Sequence, residues 1–278
     1  MLAEQSLHEG NIEEALALLQ DQVRKEPSKA EYRTFLFQLL SIMGNWDRAL
    51  TQLKVAGDLD DGTLAMVQTY EAALSCEVFR QEIFTGKRSP LIFGEPPQWV
   101  ALVIEALRLA AEGKYSQSQA MRDQAFEAAP AIEGSIDGQG FQWLADADPR
   151  LGPLMEAIVN GRYYWIPLQN IHVINIEEPV DLRDMVWMPA HFTWANGGEA
   201  VGLIPTRYPG SELNEDPSIR LSRKTEWIEQ EGGLYFGIGQ RMLATDIGEY
   251  PLMDIREIIF ESVDLEQDSD QDQATEIK

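Results

Sequence analysis

Gly10-Asn11-Ile12-Glu13-Glu14-Ala15-Leu16 recurs as Gly44-Asn45-Trp46-Asp47-Arg48-Ala49-Leu50, with the two glycines 34 residues apart. The same grammar returns in Gly113-Lys114-Tyr115-Ser116-Gln117-Ser118, 69 residues after Gly44, or two periods plus one. Each part has a mechanical reason in a pair of packed helices. The glycine permits the tight turn between them. The aliphatic or aromatic residue two positions on packs into that turn, and the small residue five positions on lets the helices approach closely. Pro27 and Pro130 each stand 17 residues after their glycine, where a proline ends the second helix. Two departures stand out: Asp61-Gly62 replaces the proline of the second unit, and Ser118 replaces the alanine of the third.

A 34-residue period is that of tetratricopeptide helix pairs, so residues 1–130 predict an α-helical, tetratricopeptide-like superhelix. Between the units, 63–84 reads as one long helix with Met66, Val67, Tyr70, Leu74 and Val78 on one face. The next helix begins at Trp99 and is apolar nearly all round, through Val100, Leu102, Val103, Ile104, Leu107 and Leu109. Such a helix needs cover on several sides, which predicts a place between the repeats and a second domain.

After Pro130 the helical period gives way to short β-rich runs. Strands are predicted at 163–168, 171–176, 185–188, 191–195, 199–204, 225–230, 234–244 and 252–262. Pro153 and Gly161 frame an expected short helix at 153–160. Asn196-Gly197 signals a type I′ hairpin and Glu231-Gly232-Gly233 a second hairpin. The loop 208–218, with Pro209-Gly210-Ser211 and Asp216-Pro217, is expected to be exposed and mobile. The fold class is therefore α+β multidomain. It comprises a helical repeat domain at 1–130, a mostly β small barrel or sandwich at 131–262, and a disordered acidic tail at 263–278.

The chain has 278 residues, enough for a sizeable core without metals or disulfides. Cys76 is the single cysteine, which fits a reducing cytoplasm and excludes a disulfide framework. No apolar run approaches the roughly 20 residues of a membrane span, and the amino terminus lacks the pattern of a signal peptide. A cytoplasmic protein is expected. Its 22 basic and 46 acidic residues give a net charge of −24. That field disfavours nucleic acid and anionic membranes and favours a basic partner. The acidity is concentrated late: residues 1–130 carry 12 basic and 19 acidic side chains, residues 131–278 carry 10 and 27.

Catalytic and metal-binding signals are sparse. His8, His172 and His191 have no ligand spacing, and there is no P-loop or GxSxG elbow. The carboxylate pairs Asp146/Asp148, Glu177/Glu178 and Asp181/Asp184 have no geometry linking them into an acid–base couple. Gly237-Ile238-Gly239 lies inside a strand, where its glycines suit a bulge or a close backbone approach. Cys76 lies within a predicted helix, as a buried inert thiol would. No cofactor or metal is expected, and no enzyme. One constellation remains: Asp181 and Arg183, with Arg207 and Arg241, place guanidinium groups in an acidic, strand-rich domain. These serve either a structural salt-bridge network or an anion or peptide-carboxylate site.

A set of motifs then carries a resemblance. They are Gly94-Glu95-Pro96-Pro97-Gln98-Trp99, Trp143-Leu144-Ala145-Asp146-Ala147-Asp148-Pro149-Arg150-Leu151-Gly152-Pro153 and Gly161-Arg162-Tyr163-Tyr164-Trp165-Ile166-Pro167. Asp181-Leu182-Arg183-Asp184-Met185-Val186-Trp187, Ile204-Pro205-Thr206-Arg207-Tyr208-Pro209 and Gly237-Ile238-Gly239-Gln240-Arg241 complete it. The sequence resembles the ImpE/TagJ (SciE-type) family of accessory proteins in bacterial type VI secretion. The resemblance implies a helical repeat domain joined to a mostly β domain, and a cytoplasmic, non-enzymatic role. It also implies binding to the amino-terminal helix of the small contractile-sheath subunit and an influence on sheath recycling by the AAA+ unfoldase. In tetratricopeptide units the first helix lines the concave side, which by the repeat register places Glu31, Thr34, Gln38 and Ser41 there. The alternatives are a general repeat scaffold or co-chaperone unrelated to secretion, and a small-ligand binder using the arginine cluster.

Overall fold

The computed structural model describes residues 2–261; the expected acidic tail at 263–278 lies outside the described residues. The helices are α1 (Leu2–His8), α2 (Ile12–Lys25), α3 (Ala30–Ile42), α4 (Trp46–Leu59), α5 (Leu64–Phe84), α6 (Gln98–Ala111), α7 (Tyr115–Ala128) and the single turn α8 (Pro217–Arg220). Gly10, Gly44 and Gly113 separate α1 from α2, α3 from α4 and α6 from α7, each in the left-handed region at φ 89°, 67° and 76°. The small residues five positions on, Ala15, Ala49 and Ser118, are fully buried. Ser118 does more than leave room, because its hydroxyl donates to the Ala106 carbonyl of α6 at 2.7 Å.

The first strands are β1 (Leu91–Ile92), β2 (Gly134–Ile136), β3 (Gln139–Phe141), β4 (Leu144–Asp146), β5 (Leu154–Val159), β6 (Arg162–Pro167) and β7 (Ile171–Ile176). The rest are β8 (Trp187–Trp194), β9 (Glu199–Pro205), β10 (Thr225–Gln230), β11 (Leu234–Gly239), β12 (Met242–Thr245), β13 (Glu249–Pro251) and β14 (Glu257–Phe260). A wide sheet runs β1-β6-β5-β9-β8-β7-β14-β2-β3, and its hydrogen-bonded order does not close on itself. Two small sheets, β13-β12-β4 and β10-β11, accompany it. β1 comes from the helical region and pairs parallel to β6, with Leu91 opposite Tyr164.

The expected helix at 153–160 is instead β5, buried along its whole length. Its six residues are too few for a stable helix, and continuous apolar character suits a strand covered on both faces. Gly161 belongs to a hairpin turn rather than a helix end. Asn160 and Gly161 are both left-handed, at φ 50° and 71°, which is the type I′ geometry joining β5 to β6. At Asn196-Gly197 the hairpin forms as expected between β8 and β9, but only Gly197 has positive φ. Its amide donates to the Trp194 carbonyl at 2.9 Å, the pattern of a type I turn closed by a left-handed glycine. The runs 185–188 and 191–195 fuse into β8, whereas 234–244 divides into β11 and β12. The 208–218 loop departs from expectation too. Tyr208 and Ser211 are buried, and Ser211 Oγ donates to the Tyr208 carbonyl while accepting from the Gly239 amide.

Alternation along the wide sheet separates two cores. Leu154, Ile158, Tyr163, Trp165, Trp187 and Leu203 join the residues of the helices in one cluster. Their neighbours Met155, Ala157, Val159, Ile166, Met188 and Ile204 join Leu243, Leu252, Ile258 and Phe260 in the other. The first core is thus shared between the helical and strand-rich regions, and α6 contributes Trp99, Val100, Val103 and Leu107 to it. Cys76 sits at this junction, its thiol 3.7 Å from the Gly161 carbonyl. Burial, aided by the Glu77 charge, pushes the thiol up to about 12. Since the thiolate is the reacting species, the native protein is expected to resist an aromatic disulfide reagent at pH 8 and to react fully once denatured. Rapid labelling of the folded protein would contradict this.

Candidate partner cleft and buried ionic seam

The same alternation that sends Leu154 and Ile158 toward the helices sends Glu156 there as well, fully buried. A carboxylate in that position needs cationic partners. Arg80 of α5 supplies a two-point contact, Nε to Oε1 at 2.6 Å and Nη2 to Oε2 at 2.9 Å. Arg241, between β11 and β12, bridges Glu156 to Asp146 of β4 and donates Nε to the Pro205 carbonyl at 2.9 Å. Tyr163 donates its hydroxyl to Glu156, and Tyr208 donates to Asp146 at 2.9 Å. Glu77 extends the chain, 3.5 Å from Arg80 and accepting from Trp187 Nε1 at 2.9 Å. The seam therefore ties α5 to β4, β5, β8 and the β11–β12 connection.

Burial pushes the Glu156 carboxyl up, but the Arg80 and Arg241 guanidiniums and its hydrogen bonds outweigh that and hold it at about 2, below the ordinary 4.5. A lowered folded value adds stability in full above the unfolded value and loses it as pH falls through the folded one. The contribution is roughly 3 kcal/mol. Asp146 runs the other way, since burial lifts it to about 6 against the pull of Arg241, so it costs stability increasingly from its ordinary 3.8 up to that pH and in full above it. The stability gap between the wild-type protein and Glu156→Gln is expected to narrow as pH falls below 4.5, where the Glu156 carboxyl is protonated in the unfolded chain. Denaturant titration at each pH measures it; an undiminished gap at pH 3 would contradict the account.

Of the four residues in the expected arginine cluster, Arg241 lies in the seam and Arg207 borders it. Arg207 is buried and donates to three backbone carbonyls: Ile42 at 2.9 Å, Ser41 at 2.9 Å and Arg220 at 2.6 Å. It thereby fastens the end of α3 to α8. Its carbonyl in turn accepts from Arg80 at 2.9 Å. Asp181 and Arg183 stand apart from these two. They pair with each other at 2.5 Å, with Arg183 stacked over Tyr70 at 4.9 Å from the ring centroid. The sequence reading gave Arg80 and Glu77 no role and did not single out Glu156. A signal for Glu156 existed, because it is the single charge in the apolar run Leu154-Met155-Glu156-Ala157-Ile158-Val159. The glycines near Arg241 do allow close approach: a side chain at Gly237 would strike the Tyr208 ring, and Gly239 is left-handed at φ 89°.

The four residues assigned to the concave side also divide. Glu31, Thr34 and Gln38 line a cleft of about 520 Å³ together with Leu7, Phe35, Val180, Asp181 and Leu182. Ser41 is fully buried, donating to the Phe37 carbonyl at 2.9 Å, and does not line it. The reason is tertiary: the turn Leu182–Met185 packs against α3, and Arg207 closes on the Ser41 and Ile42 carbonyls at the helix end. A capping box with Asp181 and Asp184 fixes that turn, Asp184 accepting from the Val180 and Asp181 amides at 2.9 and 2.7 Å. A second cleft of about 520 Å³ opens on the other side of this segment, lined by Met66, Tyr70, Ile158, Arg183 and Val201. Among the described residues no His/Cys/Asp/Glu group is placed to hold a metal ion, and no helix is long and apolar enough to cross a membrane.

Comparison with known proteins agrees with this architecture. Residues 138–259 match the family model of the ImpE protein. The chain is 52% identical over 264 residues to the type VI secretion system accessory component TagJ of Pseudomonas aeruginosa, covering 95% of this chain and 92% of the relative. The crystal structure of a Vibrio parahaemolyticus protein superposes with a TM-score of 0.85 over 94% of this chain and 98% of that one, at 23% identity, and so shares the fold. With a specific sequence match across the strand-rich region and a full-length relative at this identity, the chain belongs to the ImpE family.

Proposed function

We propose that this protein is a non-enzymatic accessory adaptor of type VI secretion. It acts in the cytoplasm, binds the amino-terminal helix of the small contractile-sheath subunit, and thereby influences sheath recycling by the AAA+ unfoldase. The observation that carries the reading is the 52% identity, over almost the whole chain, to a relative named as an accessory component of that system. The paired helices fit the role if they act as a tetratricopeptide-like superhelical stack, which presents helix surfaces to an incoming segment. The buried ionic seam supports a structural rather than catalytic reading of Arg207 and Arg241, since their donors are directed at protein carbonyls and carboxylates.

Calorimetric titration with a synthetic peptide of the sheath subunit's amino-terminal helix tests this, beside a scrambled peptide of equal composition. Saturable binding to the native order alone is the expected result. Equal binding to both would favour a general peptide scaffold, and no binding to either would remove the sheath subunit as partner.

A further inference from the structure

We propose that the cleft between α1, α3 and the 180–182 segment receives a short amphipathic helix whose apolar face is bordered by lysine or arginine side chains, with the Gln38 amide as its hydrogen-bonding partner. The inference rests on the adaptor reading for the source of that helix and adds where it sits and what chemistry it carries. Gln38 is only 7% exposed, lines the cleft, and its side chain makes no hydrogen bond among the described residues. Its polar atoms open onto the cleft, where water takes the place that a partner's hydrogen bond could fill. A bound segment that accepts from or donates to this amide would replace that water with a fixed hydrogen bond.

The surroundings fix the partner's character. Leu7, Phe35 and Leu182 form an apolar floor, and Val180 stands at the lip with 89% of its surface exposed. Glu4, Glu31, Asp60 and Asp181 are the carboxylates on the lining, Asp181 already paired with Arg183, and among the described residues no lysine or arginine lines the cleft. Apolar floor and anionic rim together match a helix with anchors at i, i+3, i+4 and i+7 and cationic flanks. A second copy of this chain, at net charge −24, is disfavoured by repulsion. So is the chain's own carboxy-terminal sequence, where 261–278 holds seven acids and one lysine.

The test titrates the full-length protein with a designed helix of about 18 residues, carrying leucine anchors and lysine flanks, and with its glutamate-flanked counterpart. The sheath subunit's amino-terminal peptide is run alongside. The lysine helix is expected to bind and the glutamate helix not. Gln38→Leu is expected to weaken the lysine helix about tenfold while its thermal midpoint stays level or rises. Glu31→Lys, an exposed position with no packing role, is expected to weaken it about threefold and to flatten the salt dependence. Failure of the lysine helix to bind, or equal binding by both variants and wild type, would overturn the cleft. If the sheath peptide binds all three proteins equally, the adaptor reading stands and the cleft falls. If the sheath peptide fails while the lysine helix binds in a Gln38-dependent way, the cleft stands and the sheath partner falls.

Discussion

Arg241→Met is expected to lower the unfolding free energy by about 3–5 kcal/mol, the cost of leaving buried carboxylates without their cation. Methionine keeps much of the side chain's length and volume, so the loss reports charge rather than a cavity. Arg241 is fully buried and bridges Asp146 to Glu156. Once it is gone, Glu156 retains Arg80 and Tyr163, while Asp146 retains, among the described residues, the Tyr208 hydroxyl and the Asp148 amide. Adding Asp146→Asn to the same chain is therefore expected to recover part of the loss. Equilibrium urea unfolding of the two variants and the wild type measures both steps. A typical domain has only about 5–15 kcal/mol in total, so the single variant should unfold at visibly lower denaturant. A shift within experimental error would mean that the seam is not a stabilising element.

Trp187→Ala is expected to cost a similar amount, about 3–5 kcal/mol, through the cavity it leaves. Trp187 is fully buried at the start of β8, with ring centroids 6.2 Å from Trp46 of α4 and 5.6 Å from Tyr70 of α5. Its indole N–H is a donor to Glu77, a carboxyl that burial drives upward. Removing it takes apolar contact from two helices and a hydrogen bond from a buried acid at once. Because the residue lies in the core shared by helices and sheet, the variant should unfold at lower denaturant by helix circular dichroism and by tryptophan fluorescence alike. A helical signal that keeps the wild-type midpoint would show that the helices do not depend on the sheet for their stability.

Much of the helical half was legible because its information is local. A glycine, an apolar residue two positions on and a small residue five positions on describe contacts within one helix pair. Gly10, Gly44 and Gly113 accordingly sit in left-handed turns. The long helix ending at Phe84 was bounded to within one residue for the same reason. In the strand-rich half, β6 to β12 and β14 were legible as strands, whereas β2 to β5, β13 and the grouping were not. Pro153 and Gly161 imitate helix ends by type and spacing, yet Asn160-Gly161 closes a hairpin whose partner strand begins at Arg162. Alternation cannot reveal a strand that is buried on both faces, and β5 is one.

Sequence by itself determined the repeat, the acidity, the α+β order and the family motifs, each a property of residues near one another in the chain. Only the tertiary structure decided what the charged residues do. Arg80 meets Glu156 across 76 residues, and Arg207 reaches the Ser41 carbonyl across 166. Packing likewise leaves Gln38 facing a cleft, while one helical turn further on Arg207 closes on the carbonyls at the end of α3. The physical reason is burial. Taking a charge or an amide out of water makes its partner energetically decisive, and which residue arrives as that partner is fixed by packing, not by spacing.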